Sequence, residues 1–310
     1  KPQAFHNKAI SRSGGIASII SLFLFLGIYY LLFLEVLYEY IFICFSLFFL
    51  GYLDDLKAKL SPNIRLLLMI ICLLVFINIF SLKINNIDLV FLNEWVENQI
   101  FSNIFVLLCF LFVINGANLI DGFNGLLSIN LIIINCFLFF INLNNGHFEF
   151  SFLLAGQIII LISFLLFNFP KAKMFLGDSG SYLFGSLVAL NIIVTNNLNP
   201  FIASFFFCIL LFYLFIEVFF SFLRKVYQRK SPVFPDNKHL HMLTYKFFFK
   251  LFGSKRSNYM NSVIINLTYF ILVFPTIFFA DNGLLCKYWF FSLILIYIAV
   301  YSRLYYLIKN

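Results

Sequence analysis

Charged residues are scarce in this sequence. Only 11% of its 310 residues are Asp, Glu, Lys or Arg, whereas 63% are apolar and 47 are phenylalanine. A water-soluble domain of this size needs a polar shell, so the composition excludes that class. Long polar breaks between the apolar runs are also missing, which leaves no room for a separate soluble domain. We therefore expect a single integral membrane domain over residues 1–310.

Two sequence patterns are absent as well. The short alternation of apolar and polar residues that marks a transmembrane barrel is missing, so the apolar runs are predicted to be helices. The six cysteines form no CxxC or other ligand spacing, and we interpret them as packing residues. The expected fold class is all-α, a polytopic transmembrane helical bundle. Ten spans are predicted, near 15–34, 37–53, 64–82, 103–120, 125–143, 150–168, 180–196, 200–222, 261–280 and 285–307.

Basic residues are distributed unevenly between alternate loops. If the N-terminus is cytoplasmic and the spans alternate, 19 of the 21 Lys and Arg residues face the cytoplasm, and only Lys83 and Lys287 do not. The positive-inside rule selects this topology. The net charge of +8 then reflects membrane orientation and attraction to anionic head groups rather than nucleic-acid binding.

Acidic residues mark the same face. Under this topology only five acids face the cytoplasm, and each is an aspartate in a polar, Gly-rich or Pro-rich motif: Asp54, Asp55, Asp121, Asp178 and Asp236. The first two are adjacent at the end of the second span, and adjacent like charges repel unless a cation lies beside them. A helix end with solvated charges explains the pair. Together with the lysines that follow, Lys57 among them, it also suits a lipid phosphate.

Two further motifs flank apolar runs. The segment 115–125 contains Asn118, Asp121, Asn124 and three glycines, which is more polar than a tight turn requires. Polar irregular backbone at membrane depth is tolerated where it is buried or lines a watered cavity. The segment 175–181, Phe-Leu-Gly-Asp-Ser-Gly-Ser, is explained equally well as a helix cap or as a phosphate and metal site around Asp178.

The fourth motif follows a basic run and contains Asp236, Lys238, His239 and His241. Basic loops beside membranes commonly determine topology only, and two histidines alone are a weak zinc signal. Four motifs on four loops of one face are nevertheless an improbable coincidence. Oxygen ligands that retain waters select Mg²⁺ or, as the alternative, Mn²⁺. The residues therefore predict a divalent-metal phosphoryl-transfer site.

These motifs, from Arg12-Ser13-Gly14-Gly15 to 235–241, occur in the order found in the MraY/WecA family of polyprenyl-phosphate N-acetylhexosamine-1-phosphate transferases, which the sequence resembles in its WecA-like branch. The resemblance implies that undecaprenyl phosphate displaces UMP from a UDP-N-acetyl sugar, with UDP-GlcNAc favoured. It also implies a further span before Lys1, which would make eleven. The implied location is the bacterial inner membrane, with a cytoplasmic active site that initiates envelope polysaccharide such as O-antigen.

The resemblance also implies roles by position. Asp178 resembles the Mg²⁺ ligand, and Asp54 resembles the carboxylate that deprotonates or aligns the lipid phosphate, with Asp55 beside it. Asp121 would shape the nucleotide and metal site, and His239 and His241 would meet the phosphates or the sugar. The expected substrate-binding residues are Lys57, Asn118, Asn124, Asn168, Phe175 and Lys238, with the Phe175 ring stacked on uracil.

Two positions depart from the family pattern. Asn124 stands where many members have a second aspartate, and Met242 stands where many have a third histidine, which argues against the MurNAc-pentapeptide branch. That branch and a membrane transporter remain the alternatives, although the acids lie at span ends and no internal repeat is seen. The intramembrane acid Glu217 is expected to be functional or paired. For assembly, a homodimer is one option.

Overall fold

The computed structural model describes residues 10–56, 61–85, 87–231 and 236–309. Lys57, predicted to bind substrate, lies outside these residues. The described part of the chain is 81% helical and has no strand, which confirms the all-α fold class. The helices are α1 (Gly14–Phe33), α2 (Tyr38–Asp55), α3 (Pro62–Ile79), α4 (Val90–Val96), α5 (Gln99–Ile120), α6 (Leu126–Asn144), α7 (Phe148–Asn168), α8 (Gly177–Leu198), α9 (Ser204–Leu210), α10 (Phe212–Tyr227), α11 (Leu240–Phe252), α12 (Ser254–Val273) and α13 (Gly283–Lys309), with a 3₁₀ turn at Phe274–Phe279.

The number of spans differs from the ten predicted. Within the described residues, eight helical segments are long and apolar enough to cross a membrane, and a bent pair makes nine. The predicted span 200–222 is this pair: α9 and α10 meet at an angle of 75° near Leu211. Helix α2 coincides with the predicted span 37–53, but it carries three acids, so its composition does not identify it as a span. The count of ten is therefore not confirmed.

Helix α8 forms the centre of the bundle. It is buried along nearly its whole length and packs against α1, α2, α5 and α6. Close approach to α2 depends on Gly51, because a Cβ atom there would overlap the carbonyl oxygen of Asp178. Small residues allow helix backbones to approach closely where lipid provides no hydrophobic drive between helices. The first turn of α8 is thereby held against the carboxyl end of α2.

Buried amides fix α8 to three neighbouring helices. The Asn191 side chain donates to Gln157 Oε1 at 2.7 Å and to Asn135 Oδ1 at 3.1 Å, and it accepts from the Tyr40 hydroxyl at 3.0 Å. Such hydrogen bonds between membrane helices are each worth roughly 0.6–2 kcal/mol. Because they are directional, they fix the rotation of α8 and hence the direction in which its first turn faces.

Candidate active site

Asp178 lies in the first turn of α8 and is buried, with 8% of its surface exposed. Its Oδ1 accepts a hydrogen bond of 2.8 Å from the Asn118 amide, which also donates to Ser181 Oγ at 3.0 Å. Its Oδ2 lies 3.9 Å from the Arg12 guanidinium. Asn118, in the last turn of α5, therefore fixes the direction of the Asp178 carboxylate.

Asp55 caps the same helix from outside it. Its two oxygens accept from the backbone N–H groups of Asp178, at 3.1 Å, and Ser179, at 2.9 Å. The Ser179 hydroxyl donates to it at 2.8 Å, and Arg12 lies 3.3 Å away. The free N–H groups at a helix start favour a carboxylate. Asp55 therefore accepts the hydrogen bonds that an N-cap side chain within α8 would otherwise accept. This geometry gives Asp55 a positioning role. A catalytic role for it stays a prediction.

Asp54 lies beside these groups and forms an ion pair with Arg65 of α3. Burial raises the pKa of Asp54, and so does its contact with Asp178, whereas the positive charge of Arg65 acts in the opposite direction. The net effect is a raised pKa. Two carboxyl groups in contact cannot both ionise freely, so Asp54 and Asp178 compete for charge and favour a bound cation.

Asp121 directly follows α5 and begins the 121–125 loop. Burial raises its pKa well above the ordinary value, and the negative charge of Asp178 adds to this effect. The four aspartates of the first three motifs thus lie near one another, as the sequence predicted. Asp54 and Asp55 come from α2, Asp121 from the end of α5 and Asp178 from α8.

Asn124 and Asn168 both make hydrogen bonds to protein backbone, and their predicted binding of substrate stays a prediction. Asn124 donates through its side chain to the Pro170 carbonyl at 2.8 Å, and its own N–H donates to Asn258 Oδ1 at 2.9 Å. Asn168 accepts from the Gly125 N–H at 2.6 Å and donates to the Met174 carbonyl at 2.7 Å. Both are buried, and these bonds fix the 121–125 loop against the segment after α7.

Phe175 is held by the segment before α1. Its N–H donates to the Ser11 carbonyl at 2.9 Å, and its carbonyl accepts from the Gly14 N–H at 3.0 Å. A Cβ atom at Gly14 would crowd this carbonyl, which explains the small residue there. The Phe175 side chain is half-buried at the site. Its predicted stacking on uracil stays a prediction.

The histidines of the fourth motif are fully enclosed. His239 Nδ1 lies 3.1 Å from Glu217 Oε2, and His241 Nδ1 lies 3.6 Å from the same oxygen. All three side chains are at most 1% exposed. Direct contact of either ring with a phosphate, as predicted, would require this cluster to open. Lys238 lies at its edge, with its ammonium 5.9 Å from the centre of the Tyr305 ring.

The charges of the site favour an added cation. Four carboxylates, Asp54, Asp55, Asp121 and Asp178, are accompanied by the guanidiniums of Arg12 and Arg65 among the described residues. In that part of the chain, no three acidic, His or Cys side chains already surround one point as a metal site would. The available donors are oxygens, which is the set that Mg²⁺ prefers, and Mg²⁺ completes its shell with waters and substrate phosphates. Asp178 and the neighbouring Asp54 therefore fit a Mg²⁺ that arrives with substrate.

Sequence reasoning missed a set of supporting residues on α12. Asn258 accepts from the Asn124 N–H, Asn261 donates to the His241 carbonyl at 3.0 Å, and Asn266 donates to the Leu126 carbonyl at 3.1 Å. They join the 121–125 loop and the start of α11 to one helix. Asn261 and Asn266 follow Asn258 by three and eight residues, which places the three polar side chains on one face of an apolar helix. This spacing is the sequence signal that would have identified them.

The fold and the site define a polytopic all-α membrane protein that gathers carboxylates at one end of its bundle. The sequence profile of glycosyl transferase family 4 matches residues 37–196, about half of the chain, and the chain belongs to this family. It is also similar to the undecaprenyl-phosphate alpha-N-acetylglucosaminyl 1-phosphate transferase of Thermotoga maritima, with 26% identity over 236 residues, which cover 76% of this chain and 68% of the relative. The resemblance to the MraY/WecA family is thus confirmed.

Proposed function

We propose that the protein transfers an N-acetylhexosamine 1-phosphate, with GlcNAc 1-phosphate favoured, from a UDP-sugar to undecaprenyl phosphate and releases UMP. The Thermotoga relative is named for the corresponding acceptor and sugar phosphate. The structural observation that supports the proposal is the convergence of Asp54, Asp55 and Asp178 at the first turn of α8. A helix start with adjacent carboxylates and guanidiniums suits phosphate groups and the cation that accompanies them.

The reaction is a displacement at phosphorus. An oxygen of the lipid phosphate attacks the sugar-linked phosphorus of the UDP-sugar, and the bond from that phosphorus to the oxygen of the departing UMP breaks. The nucleophile is already anionic at neutral pH, so the protein has mainly to position the reactants and neutralise charge. Arg65 and Asp178 hold the Asp54 side chain in place, and the raised pKa of Asp54 would allow its carboxylate to accept a remaining proton from the lipid phosphate.

Mg²⁺ is part of the proposal, with Mn²⁺ as the alternative. Asp178 would hold the ion, since Asn118 fixes one of its oxygens and the other carboxylates concentrate negative charge around it. When bound, the ion neutralises the diphosphate and the departing UMP. Arg12 then lies where it can contact phosphate oxygens as well as Asp55 and Asp178.

The cellular setting completes the proposal. The basic loops favour a cytoplasmic active site. The proposed membrane is the bacterial inner membrane, where undecaprenyl phosphate acts as the acceptor. There the product would initiate a cell-envelope polysaccharide such as O-antigen. A UDP-sugar donor is made in the cytoplasm, so a site on that face meets both a soluble nucleotide sugar and a lipid phosphate in the inner leaflet.

One assay tests the proposal directly. Purified full-length protein is mixed with undecaprenyl phosphate, Mg²⁺ and, separately, each of a panel of UDP-sugars, and UMP release is measured. We expect release with one or more UDP-N-acetylhexosamines, and loss of release when EDTA is added and its recovery when Mg²⁺ is restored. UMP release that persists in EDTA would contradict the metal assignment, and no release with any UDP-sugar would contradict the proposed donor.

A further inference from the structure

A second group of charged residues lies where α10, α11 and the segment before α11 meet, apart from the carboxylates at the start of α8. Its members are Glu217 and Arg224 of α10, Asp236, His239, and His241 of α11. Glu217, His239 and His241 have side chains that are at most 1% exposed. A buried carboxylate is costly unless a positive partner accompanies it. Glu217 therefore requires a nearby cation.

His239 is the ring whose geometry supplies that cation. Its Nδ1 lies 3.1 Å from Glu217 Oε2, and its Nε2 lies 3.2 Å from Asp236 Oδ1. A neutral imidazole carries one N–H and one lone pair, so one of its nitrogens would direct a lone pair at a carboxylate oxygen. An imidazolium carries two N–H groups and is attracted by both carboxylates. Nδ1 makes a hydrogen bond with Glu217, whereas Nε2 lies within ion-pair distance of Asp236 without a hydrogen bond. Two carboxylates within 3.2 Å of one ring favour its protonated form electrostatically.

His241 does not fit the same role. Its Nδ1 is farther from Glu217 Oε2, at 3.6 Å, and neither of its ring nitrogens has a hydrogen-bond partner. The two rings are stacked with centroids 5.4 Å apart, so two imidazoliums would repel each other strongly in this buried place. Burial lowers the pKa of His241, which agrees with a neutral ring there.

Arg224 balances the remaining charge. Its guanidinium lies 2.7 Å from Asp236 Oδ2 and also bonds to the Lys238 carbonyl. Burial acts to raise the pKa of Asp236, but the charges of His239 and Arg224 lower it overall. Arg224 and the nearby Lys225 thus compensate Asp236, whereas the described groups that pair with the buried Glu217 are the two histidines.

We propose that His239 is a buried imidazolium that bridges Glu217 and Asp236, and that this bridge is a positioning device that fixes the segment 236–241 against the 121–125 loop. The connection runs through His241, whose ring packs edge-on against Phe123 at 5.5 Å between centroids. Phe123 lies in the loop that begins with Asp121. Glu217 and His239 therefore act on the site through other residues and touch no reacting atom.

The charge state is tested by nitrogen NMR of full-length protein labelled with [¹⁵N]histidine. The chain has four histidines, and the His239 signals are those lost in His239→Gln. At about pH 8, above the ordinary pKa of histidine, we expect His239 to show two protonated ring nitrogens. Glu217→Gln, which keeps the shape of the side chain, should convert the ring to the neutral form at this pH. A neutral His239 in the unmodified protein would overturn the proposal.

The titratable or charged groups around His239 enter the interpretation of any pH effect. Helix α10 contributes Tyr213, Glu217, Arg224 and Lys225, and the segment before α11 contributes Asp236 and Lys238. The others are His241 of α11 and Tyr297 and Tyr301 of α13. Of these, Glu217 and Asp236 are the carboxylates within ion-pair distance of the His239 ring, and they stabilise its charged form. Stabilisation by an imidazolium is present at low pH and is lost as pH rises through its pKa.

The positioning role rests on the proposed function, because its readout is the pH dependence of UMP release. UMP release should fall at alkaline pH, where the bridging ring becomes neutral. Loss of one close carboxylate changes a pKa by about 1–3 units, so Glu217→Gln should move this fall to lower pH by about one unit or more. His147→Gln, which lies at the opposite end of α7 from Asn168, should leave the profile unchanged. An unmoved profile in Glu217→Gln would overturn the positioning role. If the unmodified protein releases no UMP while NMR shows the imidazolium, the proposed function fails and the bridge stands.

Discussion

Ser179 donates two hydrogen bonds to Asp55, one from its N–H at 2.9 Å and one from its hydroxyl at 2.8 Å. These bonds join the carboxyl end of α2 to the amino end of α8 across 124 residues of sequence. They also give the two adjacent aspartates, Asp54 and Asp55, different roles. Asp55 is turned towards the helix start, whereas Asp54 is turned towards Arg65 and Asp178.

The different contacts of Asp54 and Asp55 predict different outcomes when each is replaced by asparagine. Asp55→Asn should lower the stability of the protein by about 1 kcal/mol, because an amide cannot accept at both positions and carries no charge for the helix start. Activity should fall with it, since the first turn of α8 carries Asp178. Asp54→Asn should abolish most turnover, by about 10²-fold or more, with little loss of stability. Thermal unfolding in detergent and UMP release measure the two effects. Equal loss of stability in both variants would contradict these different roles.

Asp178→Asn tests the metal assignment. The change preserves shape and the contact with Asn118 but removes a charge next to the reacting phosphates, so turnover should fall by about 10²–10³-fold. The concentration of Mg²⁺ that gives half-maximal rate should rise at the same time. Glu149→Gln, an exposed acid at the start of α7, is the matched control and should behave as the unmodified protein. Near-normal UMP release by Asp178→Asn would refute its role.

Much of this arrangement is predictable from the sequence. Apolar run lengths predict the helices, and the acid-containing motifs predict that Asp54, Asp121 and Asp178 lie together, because each motif stands at a span end on one face. The resemblance predicts the family. These features are local or follow from the membrane, which restricts each run to a helix and each loop to one side.

Other features depend on packing that a single sequence does not contain. Asn124 and Asn168 carry the residue types of a substrate site, but they bond to backbone, because the loops they join have buried polar groups that require partners. The bend between α9 and α10 has a similar origin. Helix α10 has a polar face with Glu217, Ser221 and Lys225 buried against protein, and hydropathy along the chain does not reveal the angle.

Arg65 provides a pH-dependent prediction. Its positive charge acts to lower the pKa of Asp54, which burial and Asp178 raise. Arg65→Gln removes this opposing effect, so the pKa of Asp54 should rise further. The ionised form would then be lost at a higher pH, and the acid limb of the pH–rate profile should move to higher pH. UMP release measured across pH checks the shift. The same change at Arg303, an exposed arginine of α13, should produce no shift.

Gly51 tests whether close contact between α2 and α8 sets the site. In Gly51→Ala the added Cβ would overlap the carbonyl oxygen of Asp178 and the Cα of Ser179, both of which are backbone atoms that cannot rotate away. The two helices must therefore separate, and Asp54 and Asp55 move relative to Asp178. A misplacement of about 1 Å can cost about 10²-fold in rate, and we expect a loss of this order in UMP release.

Gly27 offers a matched control for this prediction. It also lies inside a helix, but a Cβ atom there meets nothing within 4 Å. Gly27→Ala should keep full activity and stabilise α1 by up to about 1 kcal/mol, because alanine is the better helix former. Full activity in Gly51→Ala would show that the carboxylates tolerate a wider helix separation, and the close packing of α2 on α8 would then not be a requirement of the site.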